Sequence, residues 1–213
     1  MLTRHLAPSA LPTDSPGWVR ISRRRPGTGS AGAAPVSPRL RQWLTAPGSL
    51  TARLRLHGTV RVEVLDQGRR RLWPQERHAL GGCVGHVREV VLRIDERPAI
   101  WARSSVPVRA VRGPWQAIRG LGTRPLAELL FSHRAVRRGP LKALKWPRHS
   151  LGHSHLARQW QRLCSTASPD RPRPCGLPTW ARHSLFHHHG QPLQVLEAFA
   201  PWLASRSCRH RGH

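Results

Sequence analysis

Two charged side chains fall where the residue pattern otherwise demands apolar ones. In 84–94, Val-Gly-His-Val-Arg-Glu-Val-Val-Leu-Arg-Ile, β-branched residues dominate, and alternate positions of a strand share a face. Arg88 therefore sits with Val84, Val90, Leu92 and Ile94, while Glu89 and Arg93 point the other way with Val91. In 193–199 the same alternation sets Glu197 beside Leu193, Val195 and Phe199. A buried guanidinium cannot shed its charge, so Arg88 requires an anion, either a protein carboxylate or a bound one. Glu197 is its mirror image. One base and one acid on apolar strand faces either pair with each other or hold a ligand.

The remaining reactive residue types carry less. His187-His188-His189 lacks a second ligand cluster and falls in a predicted turn, so no metal site is expected there. Cys83 has no activating neighbour and reads as an inert thiol. Cys83, Cys164, Cys175 and Cys208 show no paired spacing, and four free thiols in a reducing compartment are expected. No Gly-rich dinucleotide loop is present, so no nucleotide cofactor is implied.

The elements that must position Arg88 and Glu197 are legible in outline. The stretch 84–108 reads as a hairpin whose two strands meet at Asp95-Glu96-Arg97-Pro98. Before it, Val60, Val62 and Val64 alternate with Arg61 and Glu63 as a half-buried strand, ended by Asp66-Gln67-Gly68. Residues 69–74 read as loop or irregular edge. A helix–turn–helix pair is expected over 38–56: Leu40, Trp43 and Leu44 line the first helix, Ala46-Pro47-Gly48 breaks it, and Ser49 caps a second bearing Leu50, Leu54 and Leu56. Trp115, Ile118 and Leu121 predict a helical segment stopped at Gly122. Thr123 is placed to cap the next helix, with Pro125 in its first turn and Leu126, Leu129 and Leu130 inward. The chain closes with 180–186, a His-rich turn, and the strand carrying Glu197.

With 213 residues and a formal net charge of +26, the chain suits one domain with loose extensions. Residues 1–37, rich in Pro, Gly, Ser and Arg, predict a disordered tail. The domain is expected over 38–203, with 132–178 a basic, partly flexible insertion containing a helix-like patch at 156–163, and 204–213 a basic tail. Such charge suits nucleic acid, yet the arginines are scattered rather than grouped on one element, so nucleic-acid binding is not the expected main task. No apolar run reaches the ~18–20 residues that span a bilayer. The N-terminus shows no apolar leader segment. A soluble, monomeric, cytoplasmic protein is expected.

These segments resemble the chorismate pyruvate-lyase family of ubiquinone biosynthesis over about 38–131 and 178–203. The resemblance rests on Val87-Arg88-Glu89-Val90-Val91-Leu92, on Trp101-Ala102-Arg103-Ser104-Ser105-Val106-Pro107-Val108, on Leu121-Gly122-Thr123-Arg124-Pro125-Leu126-Ala127-Glu128-Leu129-Leu130-Phe131, and on Gln191-Pro192-Leu193 through Glu197 to Pro201. It implies a single α+β domain, an antiparallel sheet with helices and helix–turn–helix flaps over an internal ligand site. It implies cofactor-independent conversion of chorismate to 4-hydroxybenzoate and pyruvate. Carried over by position, the ligand-binding residues are Leu50, Arg88, Leu126 and Glu197, with Arg88 and Glu197 also catalytic. Leu50 replaces a methionine familiar in the family, and Ala102 and Ala127 stand where glycine is common. Arg103 is a candidate second carboxylate contact, or else pairs with a sheet neighbour such as Glu89. Two other classes compete: the ligand-sensing effector domain of a transcription regulator, and a basic nucleic-acid-associated protein.

Overall fold

A computed structural model describes residues 36–146, 150–165 and 176–206. The expected tails and the Pro-rich stretch 168–174 lie wholly or mostly outside them. Along the chain run α1 (Pro38–Thr45), α2 (Leu50–Leu54), β1 (Val60–Arg71), α3 (Pro74–Leu80), β2 (Val84–Ile94) and β3 (Arg97–Pro107). Then follow α4 (Leu126–Ser132), β4 (Val136–Arg138), β5 (Lys142–Lys145), α5 (Leu151–Ser165), β6 (Trp180–His188) and β7 (Gln191–Phe199). The strands form one antiparallel sheet in the order β1-β2-β3-β7-β6-β4, with β5 also on β6. The class is α+β.

Several elements depart from the sequence expectation. β1 does not end at Asp66-Gln67-Gly68 but continues to Arg71, which pairs with Val84. A register shift between Val64 and Asp66 makes Leu65 a bulge, and such an extra residue re-aims an edge strand without ending it. The β2–β3 turn is two residues, Asp95 and Glu96, both at positive φ, the backbone that two-residue hairpins require; Pro98 already belongs to β3. His187 and His188 lie in β6, and the turn is His189-Gly190. α4 begins at Leu126 behind Pro125, and no side chain caps it, Thr123 included. Leu56 is exposed. Ser49 does cap α2, its Oγ accepting from the Ala52 amide at 3.2 Å.

The sheet buries both faces. On one, Val62, Val90, Leu92, Ile100 and Phe199 pack against Trp43, Leu44 and Leu54 of the first two helices. On the other, Val91, Trp101, Leu196 and Ala198 pack against Leu156, Trp160 and Leu163 of α5. α5 thus arises from an amphipathic stretch inside 132–178, because a two-sided apolar sheet needs a cover on each face. Cys164 in this helix is disulfide-bonded, which corrects the expectation of four thiols; Cys83 is free and exposed.

Where the sheet meets the β1–α3 corner, Gly85 has no room for a side chain. A Cβ there would lie 2.6 Å from the Val106 carbonyl oxygen and 2.8 Å from Leu72 Cδ2. Gly85→Ala is expected to lower stability by about 1–3 kcal/mol through overpacking, seen as a lower urea midpoint with an unchanged slope.

Candidate functional site

The face of the sheet that carries Arg88 is not filled completely by α1 and α2. A cavity remains between the strands, the start of α2 and the first turns of α4, about 610 Å³ when the open solvent at its mouth is included. Arg88, Glu197, Leu50 and Leu126 all line it. Register explains the convergence. Arg88 is opposite Ser104, which is opposite Val195; Glu197 is opposite Ala102, which is opposite Val90. The two charged residues therefore stand on one face, two strands apart and offset diagonally.

Arg88 and Glu197 do not pair with each other. Arg88 is 1% exposed, and its Nη2 donates to the Gly122 and Arg124 carbonyls at 2.8 and 3.2 Å. Its Nε is buried without a hydrogen-bond partner among the described residues. Burial pushes this guanidinium below its ordinary pKa, yet an arginine stays charged. It is a cation positioned by backbone carbonyls, and no carboxylate among the described residues neutralises it. The same two contacts hold the loop that leads into α4.

Glu197 is held by Arg182, whose Nε donates to Oε2 at 2.6 Å. The Nη1 of Arg182 donates to the Trp43 and Ala46 carbonyls at 3.2 and 2.9 Å, satisfying the end of α1. One buried arginine thus fixes both the acid and the first helix over the cavity. Oε1 of Glu197 makes no hydrogen bond among the described residues and is available to a ligand. Arg138 of β4 also lines the cavity. Its Nε donates to the Ser184 hydroxyl at 3.1 Å, and its guanidinium lies 5.3 Å from the Phe186 ring centroid. Burial lowers its pKa, Arg182 lowers it further, and Glu197 opposes them.

Arg103 is not at the cavity. Its side chain points to the opposite face, where Nε and Nη2 donate to Glu76 at 2.7 and 2.9 Å and Nη1 to Glu89 at 2.5 Å. Residues one apart on a strand face opposite ways, and Arg103 follows Ala102, a cavity residue. Of the two alternatives for Arg103, the pairing with its sheet neighbour Glu89 is the one present, and Arg103 is not among the residues lining the cavity. Glu76, with no distinguishing sequence signal, completes that network. Arg182 and Arg138 were also missed. Arg182 shares its face with Trp180 and Phe186, the same anomaly that singles out Glu197, whereas β4 is three residues long and shows no alternation.

Among the described residues no His, Cys, Asp or Glu group is placed to hold a metal ion. No helix among them is long and apolar enough to cross a membrane.

The chorismate lyase family model matches residues 30–200. The chain is similar to the probable chorismate pyruvate-lyase of Albidiferax ferrireducens, 42% identical over 179 residues, covering 79% of this chain and 88% of that protein. It is similar to the probable chorismate pyruvate-lyase of an Azoarcus species, 42% identical over 168 residues, covering 76% and 84%. Among solved structures it is similar to the effector domain of PhnF from Mycobacterium smegmatis, with 12% identity, 75% and 91% coverage and a TM-score of 0.44. The matched range of the family model takes in 132–178, where the sequence resemblance alone had left a gap.

Proposed function

The chain belongs to the chorismate lyase family, and from that premise we propose that this cavity converts chorismate to 4-hydroxybenzoate and pyruvate. The observation that carries the reading is charge. Among the described lining residues stand the guanidiniums of Arg88, Arg138 and Arg182 and the single carboxylate of Glu197, two positive charges in excess around apolar walls. Chorismate is a small, largely apolar dianion. Opposite charges of equal number, excluded from water, favour its entry and orientation.

In this reading Arg88 holds the ring carboxylate, with its fork oriented by the Gly122 and Arg124 carbonyls. Glu197, diagonally across the sheet, meets the ring hydroxyl. Leu50 and Leu126 press the ring from the two flaps. The bond between the ring carbon and the enolpyruvyl oxygen breaks with its electron pair on the oxygen, and the released enolpyruvate takes up one proton at its methylene carbon to give pyruvate. The hydrogen on the hydroxyl-bearing carbon departs as a proton, so that the ring becomes aromatic. Glu197 acts as a general base toward that hydrogen, or it only anchors the hydroxyl while the substrate transfers the hydrogen internally. A monomeric enzyme is part of this proposal. A cytoplasmic location belongs to the same proposal.

The test is the ultraviolet appearance of 4-hydroxybenzoate from chorismate. Glu197→Gln keeps a hydrogen-bonding group at the hydroxyl. If Glu197 is the base, turnover falls by roughly 10²–10⁴-fold, the usual contribution of a positioned base, while 4-hydroxybenzoate still binds. Turnover within about tenfold of the unsubstituted enzyme would assign Glu197 to anchoring alone.

A further inference from the structure

Resting on that reading, we infer that Arg138 is the residue that recognises the enolpyruvyl carboxylate, and hence distinguishes chorismate from its aromatic product. A dianion needs two grips, and the cavity offers three guanidiniums. Arg182 is spent within the protein, on Glu197 and on the Trp43 and Ala46 carbonyls. Arg88 is fixed at the loop before α4 and serves the ring carboxylate. Arg138 keeps one neutral partner, the Ser184 hydroxyl, and no carboxylate pairs with it among the described residues.

Position agrees with chemistry. The enolpyruvyl oxygen is borne by the ring carbon next to the hydroxyl-bearing one, on the side remote from the ring carboxylate. A group that binds the side chain must therefore stand near Glu197 and away from Arg88. Arg138 lies one strand beyond β6, paired with Phe186, and β6 itself places Arg182 opposite Glu197. Arg138 is close enough to both to feel their charges. Its guanidinium also lies against the Phe186 ring, which limits its swing toward solvent. The product 4-hydroxybenzoate has no group that reaches this end of the site, so the contact is present with substrate and lost once pyruvate departs.

The experiment is Arg138→Gln in the full chain, with Arg138→Lys and Arg88→Ala beside it. With Arg138→Gln, KM for chorismate is expected to rise roughly 10- to 100-fold, the usual worth of a charge-assisted contact. The dissociation constant of 4-hydroxybenzoate should change less than about threefold. Arg138→Lys keeps the charge and should recover most of the loss. Arg88→Ala weakens both ligands together. An unchanged KM for Arg138→Gln, or an equal loss for chorismate and 4-hydroxybenzoate, overturns the assignment. An unsubstituted chain that forms no 4-hydroxybenzoate, or an Arg88→Ala variant that binds it normally, overturns the underlying reading instead. Thermal melts of all variants separate a binding loss from unfolding.

Discussion

Replacing Arg88 with alanine is expected to raise the dissociation constant of 4-hydroxybenzoate by roughly 10²–10³-fold and to lower kcat/KM for chorismate at least as much. Two parallel bonds from a guanidinium to a carboxylate contribute ~3–4 kcal/mol when water is excluded, and each 1.36 kcal/mol is about tenfold. Arg88 is 1% exposed, so no water replaces the lost contact cheaply. The substitution also releases the Gly122 and Arg124 carbonyls, which loosens the approach to α4. Arg88→Lys separates the two effects. A lysine keeps the charge but not the fork, so it should recover part of the affinity while the loop remains less well held. Calorimetric titration with 4-hydroxybenzoate checks this, and affinity within threefold of the parent for Arg88→Ala would remove Arg88 from the ligand site.

The second large effect concerns stability. Arg103→Ala leaves Glu76 and Glu89, 2% and 1% exposed, without their shared cation on the face away from the cavity. Breaking a buried ion pair by removing one partner costs about 3–5 kcal/mol. The network is dense: Glu76 also accepts from the Trp73 amide and the Ser105 hydroxyl at 2.7 and 2.5 Å, and Glu89 meets His155 and Gln159 at 2.8 and 2.6 Å. Arg103 further lies 3.9 Å over the Trp73 ring.

The same network sets an acid limit. Burial alone would push the Glu89 carboxyl up, but His155 and Arg103 together outweigh it and hold it below its ordinary value. A carboxylate with a depressed folded pKa contributes stability that is present above its unfolded pKa and is lost as pH falls through the folded one. Unfolding free energy should therefore decline below about pH 4.5, the ordinary value for this group. That decline should be shallower in Arg103→Ala. Urea titrations between neutral and acid pH check both, and a variant as stable as the parent would show that the buried pairs carry no net weight.

Much of the site was legible before any fold was known, and for one reason. A strand has a period of two, so a charged residue among apolar ones at matching parity must be buried or bound. That rule alone singled out Arg88 and Glu197. It also predicted the opposite orientation of Glu89, although not the partners Glu89 would find. Applied to 180–186 it would have reached Arg182 as well, since Trp180, Arg182 and Phe186 share a face. It had no purchase on Arg138, because β4 is too short to display a period.

Periodicity states which way a side chain faces within its own strand, and so the chain by itself determined the strand faces, the capped α2 and the apolar sides of the early helices. It contains no term for what lies across the sheet. Whether Arg88 meets Glu197 or each finds another partner depended on β7 pairing between β3 and β6, which put Arg182 opposite Glu197. Which partners Arg103 found on the second face depended on α3 and α5 closing it around Glu76 and Glu89. Those choices are made by contacts between residues distant in sequence, whose free energies exist only once the sheet has assembled in one register.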